Sequence, residues 1–213
     1  MDFNSKKEIF NEMNNHLLMD DNPSDYFNEF AEEPIFKEFP FTLLSDLKRV
    51  PQSPKYHPEG NVWNHTMLVI DYAAKMKEKS KDQKAFMWAA LLHDIGKTDT
   101  TRNKKGKITA YNHDVVGAKL VKEFFKELTS DKAFVRTVTS LVKWHMQILY
   151  IAKSLRFADI EGLIGDIDFN EVALLGYCDR MGRLNPNQQL EKQNVNLFIK
   201  KCRDYMKQKA ELH

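Results

Sequence analysis

The chain is poor in most of what would place it outside the ordinary helical domains. No run approaches the roughly eighteen consecutive apolar residues of a membrane span, and the opening MDFNSKKEIFNEM lacks the apolar middle section of a signal peptide. A cytoplasmic protein without a membrane partner is expected. Only two cysteines, Cys178 and Cys202, occur in 213 residues, each among apolar neighbours of a predicted helix. Free buried thiols are predicted there, and a zinc site built on cysteine is excluded. An excess of one charge is also missing. Lysine and arginine number 32 against 30 acidic residues, a net +2, so no global field draws the chain onto nucleic acid. The local basic stretches RNKKGK (102–107) and KKCRDYMKQK read as solvated surface.

What is present is apolar spacing of three and four residues, with few alternating β-branched runs, which predicts an all-α helical bundle. Five of the seven prolines fall in EEPIFKEFPF and RVPQSPKYHPEG. These segments divide two N-terminal helices, at about 3–19 and 24–32, from those that follow. A short loop is expected over 102–107, and a last helix opening at NPNQQL. The expected division is an N-terminal helical extension over 1–45 packed on the core, a core over 46–185 and a C-terminal helix over 186–213. The aromatic stretch EFPFTLL can serve a dimer or the core, which leaves the oligomeric state open.

Several predicted helices direct one ionisable side chain inward. Val62, His65, Val69, Tyr72 and Met76 share a face. His93 and Asp94 end a helix carrying Ala85, Trp88, Ala89 and Leu92, with Gly96 as its stop. Neighbours on a helix diverge by about 100°, but a turn at the terminus lets both reach one point. His113 opens a helix with Gly117, Leu120 and Phe124 on its face; His145 continues the stripe of Phe134, Val138 and Leu141; Asp179 follows Val172 and Leu175. Singly, each histidine reads as a satisfied core residue. As a set they do not, because Asp94 and Asp179 show no inward lysine or arginine at helical spacing, and a buried carboxylate needs a counter-charge. Four imidazoles and two carboxylates suit a divalent transition metal, one or two ions of manganese, nickel, cobalt, iron or zinc, better than calcium.

NHTMLVI with His65, LLHDIGK with His93 and Asp94, and GYCDRMGR with Asp179 resemble the signature of the HD-domain metal-dependent phosphohydrolases. VPQSPKYHPEGNVWNHT, HDVVGAKLV and RMGR resemble more narrowly the HD domain attached to some bacterial CCA-adding tRNA nucleotidyltransferases, over roughly residues 24–185. No strand-rich region with paired aspartates accompanies it, so nucleotide addition is not expected. The resemblance implies a helical bundle in which His65, His93, Asp94 and Asp179 hold one metal, while His113 and His145 hold a second with Asp94 bridging. It implies hydrolysis of a phosphate ester, of the 2′,3′-cyclic phosphodiesterase or phosphatase type. The partner would be a small phosphorylated substrate, a nucleotide first and an RNA end second. Asp94 and Lys97 are the expected catalytic residues, with Lys97, Arg180, Arg183 and His57 on the substrate and Glu59 beside His57 at the mouth. The alternatives are a non-catalytic nucleotide- or RNA-binding module and a deoxynucleoside monophosphate phosphatase.

Overall fold

A computed structural model describes residues 5–211, so residues 3 and 4 of the first predicted helix lie outside the described residues. Helices α1 (Lys6–Met19), α2 (Ser24–Phe30) and α3 (Thr42–Ser45) lead through a 3-10 turn, Asp46–Arg49, and the proline loop into α4 (Val62–Ala74). Then come α5 (Gln83–Leu92), the short α6 (Lys97–Thr100), a β-hairpin of β1 (Thr101–Lys104) and β2 (Lys107–Ala110), and α7 (His113–Phe125). The chain ends with α8 (Lys132–Trp144), α9 (Gln147–Ala152), α10 (Ile160–Asp166), α11 (Phe169–Met181) and α12 (Gln188–Glu211). Helices form where polar caps meet apolar spacing: the side chains of Asn61, Asp82, Asp131 and Asp168 accept the orphan N–H groups that open α4, α5, α8 and α11.

α5 is the axle of the bundle. Every residue from Ala85 to Leu92 is fully buried, and α1, α4, α8 and α11 pack around it. A helix that is apolar on all sides belongs in a core, where neighbours supply the polar surface it lacks. Trp88 is its largest side chain and meets Phe10, Phe124, Phe125 and Phe134 at ring-centroid distances of 5.1 to 6.5 Å. Phe10, Met13 and Leu17 of α1 belong to the same buried cluster. Phe41 and Leu44, from the EFPFTLL stretch, are also fully buried in it. Cys178 and Cys202 are free and buried.

The hairpin stands where the sequence predicts a plain loop. Lys105 and Gly106 both take positive φ, 52° and 80°, as a two-residue turn between antiparallel strands requires. With four residues per strand there is too little alternation for periodicity to reveal it. Among the described residues no helix is long and apolar enough to cross a membrane.

Candidate metal centre

Five elements deliver the ionisable side chains to one place. His65 comes from α4, His93 is the residue that closes α5, Asp94 sits in the turn that follows, His113 is the first residue of α7, His145 closes α8, and Asp179 lies near the end of α11. All six are buried. The turn after α5 continues through Ile95 N–H to Leu92 O at 3.1 Å and Lys97 N–H to Asp94 O at 2.9 Å, so His93 and Asp94 leave the axle together yet face one point.

Gly96 does not stop α5 through a left-handed cap, as the sequence suggests; its φ is −70°. Its work is steric. A Cβ there would lie 2.0 Å from the His113 carbonyl oxygen and 2.5 Å from the Gly117 nitrogen, so the missing side chain lets α7 approach the turn. Gly182 acts likewise between α11 and α4, where a Cβ would sit 2.6 to 2.8 Å from Val69. His65 and Asp179 meet across that crossing, with His65 Nε2 3.0 Å from Asp179 Oδ1.

The histidines share a local device. His93, His113 and His145 each donate Nδ1–H to the carbonyl three residues earlier, Ala90, Ala110 and Val142, at 2.8, 2.7 and 2.6 Å. A carbonyl cannot donate, so Nδ1 carries a proton in each ring, and Nε2 presents a lone pair wherever the imidazole is neutral. Those Nε2 atoms surround Asp94. His93 Nε2 is 3.3 Å from Oδ2, while His113 Nε2 and His145 Nε2 are 3.4 and 3.9 Å from Oδ1. His113 Nε2 and His145 Nε2 face each other at 3.2 Å, and His93 Nε2 is buried without a hydrogen-bond partner. Two ring nitrogens this close, with a third orphaned beside them, are an arrangement that a shared cation suits. Two neighbouring triads, His65–His93–Asp179 and Asp94–His113–His145, each bring three donor atoms within 4.8 Å of one another. Asp94 turns one oxygen toward each triad.

The electrostatics ask for the same thing. Burial alone would raise both carboxyl pKa values. The charge of Lys97 and then His93 instead holds Asp94 well below the usual carboxylate range, and the hydrogen bond from His65, then Arg180, does so for Asp179. Burial pulls His145 down to about 3, helped by His113 and His93. Against its own burial, His93 is pushed up by Asp94 and Asp179. Ionised carboxylates beside His113 and His145, both held toward the neutral form, make a donor set that a divalent metal fits.

Two sequence expectations are corrected. Asp94 does have a counter-charge: Lys97 Nζ lies 2.6 Å from its Oδ2, reaching back from α6 because the turn folds residue i+3 over the carboxylate. Gln52 Oε1 accepts from the same ammonium at 2.8 Å, and the lysine side chain is only 14% exposed. Glu59, expected at the mouth, is instead buried against His65, its Oε1 3.0 Å from Nδ1 and 2.9 Å from His57 Nδ1. Burial acts to raise its pKa, but the contacts with His65 and His57 hold it at about 2. Carboxylate, imidazole and metal face form a chain in which Glu59 fixes the ring that points Nε2 at the centre. Gln52 and Glu59 carry no periodic signal because they sit in the irregular proline loop; their only sequence mark is proximity to His65.

The other predicted residues gather on one rim. Arg180 Nε is 3.8 Å from Asp179 Oδ2. Arg183 is largely buried with Nε unpartnered, and burial lowers its pKa. His57 packs edge-on to His65 at 4.7 Å; burial, then the charges of His65, Lys97 and Arg183, pulls it down to about 4. Lys97, Arg180, Arg183 and His57 thus crowd the carboxylate side.

Residues 62–183 match the family model described as HD domain. A Multifunctional CCA protein of Actinobacillus pleuropneumoniae is 35% identical over 126 residues, which are 56% of this chain and 29% of that protein. One from Hahella chejuensis is 29% identical over 123 residues, 58% of this chain and 28% of that protein. One from Pasteurella multocida is 28% identical over 174 residues, 78% of this chain and 40% of that protein. The chain therefore spans well under half the length of these curated relatives.

Proposed function

The chain belongs to the HD-domain family, whose members are in general metal-dependent phosphohydrolases, and from that premise we propose that its histidine and aspartate centre hydrolyses a phosphate ester of a nucleotide. In this reading His65, His93, Asp94 and Asp179 would hold one divalent ion, and His113 and His145, with Asp94, would hold a second. Manganese, nickel, cobalt, iron or zinc suits the mixed imidazole and carboxylate shell. Such an ion supplies Lewis acidity and makes water a nucleophile near neutral pH.

The protein's own groups do the rest. Asp94 would orient the attacking water as well as help to hold the ion. Lys97, pivoting from Asp94 Oδ2, and the guanidinium groups of Arg180 and Arg183 neutralise the charge that grows on the phosphoryl oxygens. His57, neutral at physiological pH, is left as a hydrogen-bonding wall. Glu59 and the three i−3 carbonyls hold the rings so that little reorganisation is needed when charge develops.

The observation that carries this reading is the shared geometry of His93, His113 and His145, whose Nδ1 atoms bond the carbonyl three residues earlier while their Nε2 atoms converge on Asp94. The test is a screen of manganese- and nickel-loaded protein against nucleoside 2′,3′-cyclic phosphates, nucleoside monophosphates and aryl phosphates, with Asp94→Ala as control. Metal-dependent turnover of a nucleotide ester, lost in the variant, is expected. No turnover of any ester, or full turnover by Asp94→Ala, overturns it.

A further inference from the structure

A recess is lined by residues that flank His113 and His145 in the chain. Its volume is about 290 Å³, and Tyr111, Trp144, Tyr150, Phe157, Asp114 and Gln147 contribute to its walls. Tyr111 and Asp114 bracket His113 in the chain, and Trp144 immediately precedes His145, so the two sites share their supporting backbone. Two large rings stay in solvent here: Tyr111 is 68% exposed and Phe157 45%. Aromatic rings left uncovered at a concave site, when the core buries so many others, have a use outside folding.

The wall is built in advance of any ligand. Gln147, itself buried, donates from Nε2 to the Phe157 carbonyl at 3.1 Å and accepts the Asp159 N–H on Oε1 at 3.0 Å. Leu155 N–H donates to the Tyr150 carbonyl at 2.8 Å, closing the loop that carries Phe157. The Tyr150 and Phe157 rings sit 5.6 Å apart at 52°. Burial, then the Asp114 carboxylate, pushes the Tyr150 hydroxyl up to about 12, with Arg180, which stands beside Asp179, acting the other way. Asp114 is buried and spends Oδ1 on the Val115 N–H at 3.0 Å.

We propose that this recess holds the base of a nucleotide whose phosphate ester lies at the histidine and aspartate centre, a step that rests on the phosphohydrolase reading above. Tyr111 and Phe157 supply the faces on which a base stacks, which every base offers and a bare sugar phosphate does not. The Asp114 carboxylate accepts from an exocyclic amino group, so adenine and cytosine are favoured over uracil. The size suits one base, at the lower end of the roughly 300–1,000 Å³ of small-ligand pockets.

The test separates base from phosphate. The full chain is probed with adenosine and with uridine by saturation-transfer NMR, and the manganese-loaded protein is assayed on adenosine 2′,3′-cyclic phosphate and on base-free glycerol 1,2-cyclic phosphate. Transfer to adenosine, weaker transfer to uridine, and a KM about tenfold lower for the nucleotide are expected, the scale of one stacked base. Tyr111→Ala and Phe157→Ala, both on exposed side chains, should raise the nucleotide KM to that of the base-free ester, while Tyr111→Phe keeps the difference. Equal KM values for the two esters together with no transfer to adenosine overturn the base site. Hydrolysis of neither ester with adenosine transfer intact sinks the phosphohydrolase reading and leaves the base site standing.

Discussion

Lys97 and a metal ion answer the same need, a positive charge beside Asp94, and this makes the lysine testable apart from catalysis. Removing one partner of a buried pair strands the other, at about 3 kcal/mol or more. Lys97→Ala should therefore lower the thermal midpoint of metal-stripped protein, and saturating manganese should return most of the loss; thermal unfolding with and without the ion measures it. Equal destabilisation in both states would mean the ammonium is not a stand-in for the cation. Glu59→Gln tests the second layer. It removes the charge behind His65 while keeping the shape, so metal affinity should fall by roughly 10- to 100-fold with the helical circular dichroism unchanged. Competition with a chelator reads it, and unaltered affinity would reduce Glu59 to packing. Replacing His93 by alanine should release metal outright, as elemental analysis of the purified variant would show.

At the scale of elements, the site depends on two backbone crossings that admit no side chain. Gly182→Ala should part α11 from α4 and draw Asp179 away from His65, costing about 3 kcal/mol or more, because the clash is with Val69 main chain and cannot relax by a rotamer change. Denaturant unfolding checks the stability, and metal titration checks the site. The inward faces of α4, α7, α8 and α11 are legible in the sequence because apolar residues at offsets of three and four mark which way His65, His113, His145 and Asp179 point. The convergence of His93 and Asp94 is legible too, once a helix end is placed there. The i−3 carbonyl bonds, the return of Lys97 onto Asp94 and the burial of Glu59 are not. They arise where the chain leaves helical geometry, and periodicity carries no information about turns. Gly96 is visible as a glycine, but its reason lies in α7, which is distant in sequence terms until the fold closes.

For the whole molecule, the centre joins elements from Gln52 to Arg183, so binding there is linked to global stability. A metal present at about a hundred times its dissociation constant should add about 2.7 kcal/mol to unfolding free energy. Calorimetry of loaded and chelated protein tests this, and a midpoint indifferent to metal would favour a polar helical scaffold over a metalloprotein. The N-terminal helix is part of that unit through Phe10 against Trp88, and Trp88→Ala should cost about 3–5 kcal/mol. The axle α5 has a further consequence. With no residue of Ala85–Leu92 reaching solvent, its amide protons can exchange with water only when the entire domain opens. His93 and Asp94 are attached to the end of that segment. Fraying of α5 therefore does not carry these two side chains off, and their anchor gives way only when the domain itself opens.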